Sequence, residues 1–173
     1  FPQLNSDYKI DFKNLSHPLL KPDGRIGNDI NFDSDFMILT GSNMSGKSTF
    51  LRSLGINMVL AGAGAPVCAD TATVHPLPVL VSMRLSDSLS DSESYFFVEV
   101  KRLKFKKDEL KEKRAFVLLD EILRGTNSDD KQAGTIKVIQ KMVQLNAVGA
   151  IATHDIEVCR LANDYPDKLV NRC

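Results

Sequence analysis

Short apolar runs alternate along the chain with longer stretches in which apolar residues recur every three or four positions. The runs cover residues 35–40, 79–84, 115–119 and 148–153. Continuous runs of this length are typical of strands buried on both faces of a parallel sheet. The periodic stretches cover residues 47–61, 95–114 and 128–145, and they predict helices. Strands that alternate with helices predict an α/β fold, in which helices flank a mainly parallel sheet.

The first part of the chain, residues 1–34, is rich in residues that interrupt helices and strands. These are Pro2, Pro18, Pro22, Gly24 and Gly27. We expect a short strand at residues 8–12 and little regular structure before Asn31. The pattern predicts a loop-rich leading segment, 1–34, packed on a single domain at 35–173. Because the chain begins at Phe1 and stops at Cys173 without a closing element, we expect a domain excised from a longer protein.

The composition is that of an ordinary globular protein, with 43% hydrophobic and 25% charged residues. Lys+Arg and Asp+Glu both number 22. Because a dedicated nucleic-acid binder usually has a basic excess, any DNA contact must be local or be made by domains outside this chain. We interpret the lysine-rich face of residues 95–114 as solvated rather than as a DNA-binding surface.

No apolar stretch reaches 18 residues and no signal peptide opens the chain, so we expect no membrane partner. The three cysteines, Cys68, Cys159 and Cys173, lack CxxC spacing. Their odd number and spacing predict free thiols in a cytoplasmic protein.

A glycine-rich motif lies between the first apolar run and the first periodic stretch. It reads Gly41-Ser42-Asn43-Met44-Ser45-Gly46-Lys47-Ser48-Thr49 and fits the phosphate-binding loop G-x-x-x-x-G-K-[ST]. Backbone N–H groups of such a loop surround nucleotide phosphates, while the positive end of the following helix faces them. The sequence therefore predicts nucleotide binding by residues 41–49. Lys47 is expected to contact the β- and γ-phosphates and Ser48 to bind Mg²⁺.

Three further polar residues stand at the ends of apolar runs. Asp120 and Glu121 follow the third run, and His154 follows the fourth. Asp120 is expected to hold Mg²⁺ through its hydration shell, and Glu121 to act as general base for the attacking water. A lone histidine is often structural, but the carboxyl ends of parallel strands are where such sheets bind ligands. We therefore expect His154 to contact the γ-phosphate or the water.

Several of these segments together resemble the ATPase domain of the MutS-type mismatch-repair family. They are residues 40–49, 120–127 and 152–155, and His17-Pro18 also fits the family pattern. The resemblance covers nearly the whole chain. It implies a P-loop NTPase fold of the ABC type that hydrolyses ATP with Mg²⁺. It also implies a site completed across a dimer, formed by two copies of the full-length protein or by a paralogue.

The resemblance assigns further residues. Residues 87–99 resemble the family's signature segment, in which Ser94 falls where a serine of one subunit reaches the γ-phosphate held by the other. Ile26 and Asn28 lie in the leading segment that contacts the adenine. Residues 25–28 contain no aromatic side chain to stack on that base, and Ser92-Glu93 and Leu123 replace Gly-Arg and Gly of the family pattern.

Two functions of different classes fit these observations. The first is an ATP-hydrolysing domain of a MutS-like mismatch-repair or recombination-control protein, in which hydrolysis drives a conformational change on DNA. The second is a nucleotide-gated dimerisation or interaction module that hydrolyses little. Glu121 and His154 favour the first function, whereas Ser92 and Glu93 favour the second, because a carboxylate that faces phosphate is repelled. We discount a small-molecule kinase, because no Arg-rich lid segment follows the phosphate-binding loop. We also discount a transporter ATPase, because the chain lacks the Leu-Ser-Gly-Gly-Gln signature.

Overall fold

The computed structural model describes residues 1–33, 35–42, 45–83, 114–122 and 127–172. Its main elements are β1 (Gln3–Leu4), β2 (Lys9–Leu15), β3 (Asn28–Asp33), β4 (Phe36–Leu39), α1 (Lys47–Gly62), β5 (Thr71–Val74), β6 (Val79–Met83), β7 (Phe116–Asp120), α2 (Ser128–Gln144), β8 (Val148–Ala152), α3 (Leu161–Asp164) and β9 (Leu169–Arg172). Short 3-10 turns occupy Pro22–Gly24 and Ile156–Arg160. Asn43, Met44, Ser94 and residues 95–113 of one predicted helix lie outside the described residues.

The main sheet has five strands in the order β6-β7-β8-β4-β9, and every neighbouring pair is parallel. All residues of β7 and β8 are buried, which explains why their sequences are continuous apolar runs. The four predicted strands of this sheet and the helices at 47–61 and 128–145 are present, with ends shifted by a residue or two. The prediction of an α/β fold with a parallel sheet flanked by helices is confirmed.

Successive side chains of the central strands point to opposite faces of the sheet, and each face has its own core. Met37 packs in the core that contains α1, whereas Phe36 and Ile38 pack in the core that contains α2. α2 begins after Asn127, whose side-chain oxygen accepts a 2.8 Å hydrogen bond from the backbone N–H of Asp130. The two faces therefore fix α1 and α2 on opposite sides of the same strands.

A second sheet of four strands, in the order β1-β5-β2-β3, packs on the α1 side. The expectation of little regular structure before Asn31 is wrong, because β3 begins at Asn28 and pairs antiparallel with β2. Its alternation of buried Ile30 and Phe32 with exposed polar residues suits a strand with one face in a core. β5, which also went unpredicted, joins β1 and β2 from beyond residue 34. The division of the chain at residue 34 stays a prediction.

The structure also bears on the expectations about the cysteines and about membrane-spanning helices. Among the described residues, Cys68 and Cys159 are not joined in a disulfide, and Cys173 lies outside those residues. Among the helices that the structure describes, none combines the length and the apolar character needed to cross a membrane.

Candidate functional site

The glycine-rich loop connects the end of β4 to the start of α1, at the carboxyl edge of the main sheet. Gly41 has a φ of 149°, and a Cβ atom added there would lie 2.8 Å from Ser45 Oγ. Glycine at this position therefore lets the loop close on itself. Gly46 occupies the N-cap of α1, so the first backbone N–H groups of the helix face the loop.

Lys47 reaches into the curve of this loop. Its side chain is buried, with 7% of the residue exposed. The Nζ atom donates hydrogen bonds of 2.6 Å to the carbonyl oxygens of Gly41 and Ser42 and one of 3.3 Å to Ser45 Oγ. The ammonium group is thus held at the centre of the loop, where the motif predicts nucleotide phosphates.

Ser48 connects the loop to the acidic pair. Its hydroxyl donates a 2.6 Å hydrogen bond to Asp120 Oδ2, and Asp120 is 5% exposed at the end of β7. The structure therefore brings the two predicted Mg²⁺ ligands together. A hydroxyl and a carboxylate oxygen at this separation are the hard oxygen donors that Mg²⁺ prefers.

Glu121 and His154 form a second contact at the same edge. His154 Nδ1 lies 2.8 Å from Glu121 Oε1, and their side chains are 40% and 9% exposed, respectively. β7 and β8 are parallel neighbours, and the N–H of Glu121 donates a 3.0 Å hydrogen bond to the carbonyl of Ala152. Glu121 has a φ of 44°, a left-handed conformation that is uncommon for non-glycine residues and is enriched at functional sites.

A small cavity of about 10 Å³ adjoins this pair, and Lys131 and Thr135 of α2 are among its lining residues. Its volume is close to what one water molecule requires. Neither Lys131 nor Thr135 was predicted as a site residue, because a helix sequence does not indicate which strand end it will face.

A larger cavity of about 430 Å³ opens beside the phosphate-binding loop. The predicted Ile26 and Asn28 line it together with Gly41, Lys47 and Thr49. Asp120, Glu121 and His154 are not among its lining residues, and the hydrogen bond from Ser48 to Asp120 connects the phosphate-binding loop to the acidic strand end.

Sequence reasoning missed Arg172, which also lines the large cavity. It ends β9, a four-residue strand whose register pairs Arg172 with Leu39 of β4. The signal available in the sequence was the pair Leu169-Val170 after Pro166, which is too short to predict a strand.

The fold and the site together define an α/β protein whose glycine-rich loop and acidic strand end meet at one edge of a parallel sheet. The profile of the family described as MutS domain V matches residues 37–171, and the chain belongs to this family.

Similar proteins include the DNA mismatch repair protein MutS of Pseudothermotoga lettingae, which is 32% identical over 99% of this chain and 22% of its own length. The DNA mismatch repair protein MutS of Ehrlichia ruminantium is 35% identical over 92% of this chain and 20% of its own length. The human MutS protein homolog 4 is 30% identical over 78% of this chain and 14% of its own length. The chain spans about a fifth of the length of the bacterial relatives.

Proposed function

We propose that this chain is the ATP-binding and ATP-hydrolysing domain of a MutS-like DNA mismatch-repair or recombination-control protein. The fold is then a P-loop NTPase of the ABC type. The observation that carries the proposal is the 2.6 Å contact between Ser48 and Asp120. It joins a phosphate-binding loop to an acidic strand end, which is the arrangement that Mg-nucleotide chemistry needs.

The residues of the site fit both ATP and Mg²⁺. The cavity of about 430 Å³ falls within the range of small-molecule sites, and it is continuous with the loop that holds the Lys47 ammonium. The triphosphate would lie along residues 41–49, and the nucleoside would enter the cavity toward Ile26 and Asn28. Ser48 and Asp120 would hold Mg²⁺, which neutralises charge on the phosphate oxygens when it is bound.

Glu121 supplies the base in this proposal. Its carboxylate lies one residue beyond Asp120 and takes a proton from the water that attacks the γ-phosphorus. His154 holds Glu121 Oε1 at 2.8 Å and so fixes the orientation of that carboxylate. The low exposure of Glu121 limits competing bulk water, which strengthens its electrostatic contacts.

The test is steady-state phosphate release from Mg-ATP by the full-length protein. The wild type is expected to hydrolyse ATP, and Glu121→Gln is expected to bind ATP normally and to lose at least about 100-fold in kcat, since the amide keeps the shape but accepts no proton. Glu157→Gln is the matched control, because Glu157 is exposed and paired with Arg160. Wild-type turnover by Glu121→Gln would remove Glu121 from the mechanism.

The proposal extends to partners. Ser94 would complete the site from a second copy of the protein or from a paralogue, and domains outside this chain would bind DNA. Two relatives carry the name DNA mismatch repair protein, which supports this assignment.

A second candidate is a nucleotide-gated interaction module with little hydrolysis. Ser92 and Glu93 favour it, because a carboxylate near a partner's phosphates weakens the closed dimer. ATP binding without turnover in the full-length protein would select this candidate.

A further inference from the structure

One wall of the large cavity is a surface loop, defined here as residues 17–27, between β2 and β3. Leu20, Gly24 and Ile26 of this loop line the cavity, while Leu19 and Ile26 are 87% and 83% exposed. Apart from its short 3-10 turn, the loop contains no helix or strand. Contacts other than those of a helix or a strand must therefore hold this loop in place at the cavity.

Arg25 supplies three hydrogen bonds inside this loop and beneath it. Its Nε donates to the carbonyl of Leu20 at 2.7 Å, Nη2 to the carbonyl of Pro18 at 3.2 Å, and Nη1 to Cys68 Sγ at 3.3 Å. The bond to Cys68 ties this loop to the segment before β5, and Asn28 Nδ2 at the start of β3 donates a further hydrogen bond of 3.4 Å to the carbonyl of Ile26. The planar guanidinium, with donors in a fixed fork, suits three acceptors spread around it.

Cys68 is itself fixed to the helix that follows the phosphate-binding loop. Its N–H donates a 2.6 Å hydrogen bond to Asn57 Oδ1, and Asn57 of α1 is fully buried. Asn57 Nδ2 also donates to the carbonyl of Ser16, at 3.0 Å, directly before the surface loop. A continuous set of hydrogen bonds thus runs from α1 through Asn57 and Cys68 to Arg25.

We propose that Arg25 is a positioning residue that holds the surface loop in place as a preformed wall for the nucleoside part of the nucleotide. This inference rests on the proposed function and adds the residue that shapes the base side of the same site. Arg25 does not line the cavity, so it acts through Leu20 and Ile26 and not by contact with the ligand. Ordering this wall before binding removes an entropic cost that a free loop would add to association.

The test compares two probes on the full-length protein by titration calorimetry in Mg²⁺. ATP engages the phosphate-binding loop and the nucleoside wall, whereas inorganic tripolyphosphate engages the phosphate-binding loop alone. Arg25→Ala is expected to weaken ATP binding roughly 10-fold and to change tripolyphosphate binding less than about twofold. In turnover, the same variant is expected to raise KM by a similar factor with kcat unchanged.

Three further variants sharpen the test. Arg25→Lys keeps the charge without the fork and is expected to recover part of the ATP affinity, while Cys68→Val removes one acceptor and is expected to show a smaller loss specific to ATP. Arg160→Ala, an exposed arginine outside the site, is expected to bind both probes as the wild type does. Arg25→Lys and Cys68→Val carry the test should Arg25→Ala fail to fold.

Equal losses for the two probes, or no loss of ATP affinity in Arg25→Ala, would overturn the positioning role while leaving ATP binding by the wild type intact. A wild type that binds neither probe would instead refute the proposed function, and the inference with it.

Discussion

Ser48 Oγ donates a 2.6 Å hydrogen bond to Asp120 Oδ2 across 72 positions of sequence. The contact brings the first turn of α1 against the end of β7. α1 follows β4, and β8 lies between β4 and β7 in the sheet. The contact places these two oxygen atoms close enough to bind the same cation. The requirement for Mg²⁺ is the property that this contact predicts most directly.

Asp120→Asn is expected to lower the affinity for ATP in Mg²⁺ by roughly 10- to 100-fold, as losses of outer-sphere metal contacts do. In EDTA, the variant and the wild type are expected to bind ATP equally. The asparagine can still accept the hydrogen bond from Ser48, so the fold should be kept. Calorimetric titration with and without Mg²⁺ measures both quantities, and Asp164→Asn on the exposed end of α3 is the control. An unchanged Mg²⁺ dependence would contradict the assignment of Asp120.

Lys47→Ala is expected to weaken nucleotide binding by about 2–3 kcal/mol, or roughly 30- to 150-fold, because it removes a charge-assisted contact to phosphate. Titration of a fluorescent ATP analogue measures the loss, and far-UV circular dichroism checks that the fold is retained. Lys137→Ala on the exposed side of α2 serves as control. Wild-type affinity in Lys47→Ala would show that the loop does not bind phosphate.

Gly149→Ala is expected to destabilise the domain by about 2–4 kcal/mol. Gly149 is the second residue of β8 and has a φ of 144°, and an added Cβ would collide with the backbone of Val117 in β7. Gly62→Ala is the matched control, because a Cβ at the end of α1 meets no atom within 4 Å. That control should change stability by less than about 1 kcal/mol. Urea unfolding measures both variants, and equal stabilities would contradict the tight approach of β7 and β8.

Ser94 is expected to act on ATP bound by a second subunit. Lys47→Ala and Ser94→Ala should each be nearly inactive in the full-length protein. A mixed dimer has one complete site, formed by the phosphate-binding loop of the Ser94→Ala subunit and the serine of the other. Mixing the two variants should therefore restore part of the phosphate release, up to about half of the wild-type rate per dimer if the two sites act independently. No recovery in preparations shown to contain heterodimers would refute the role of Ser94.

The elements around the site could be predicted because their signals are local. The phosphate-binding loop is a contiguous motif, and the runs before Asp120 and His154 are apolar because β7 and β8 are buried on both faces. The residues predicted for Mg²⁺ lie within hydrogen-bonding distance because the parallel strands of one sheet end at the same edge, although β8 separates β4 from β7.

The second sheet could not be predicted in the same way. β1 has two residues and pairs with β5 about seventy positions later, so its sequence carries no period and no indication of its partner. The inward placement of Arg25 was equally hidden, because two of its acceptors are backbone carbonyls and the third, Cys68, lies 43 positions away. Any residue can supply a backbone carbonyl, so the sequence does not indicate which residues will accept such hydrogen bonds.

The position of β8 in the main sheet also has a consequence for how the domain is synthesised. β8 follows β4 and β7 in the chain but lies between them in space, where it separates them by two strand spacings, or about 10 Å. A nascent chain that ends before Val148 therefore has no strand with which to join its two earlier strands. The central sheet, and with it the approach of Ser48 to Asp120, is therefore expected to form only after β8 has left the ribosome. Pairings between strands so far apart in the chain are also expected to slow folding.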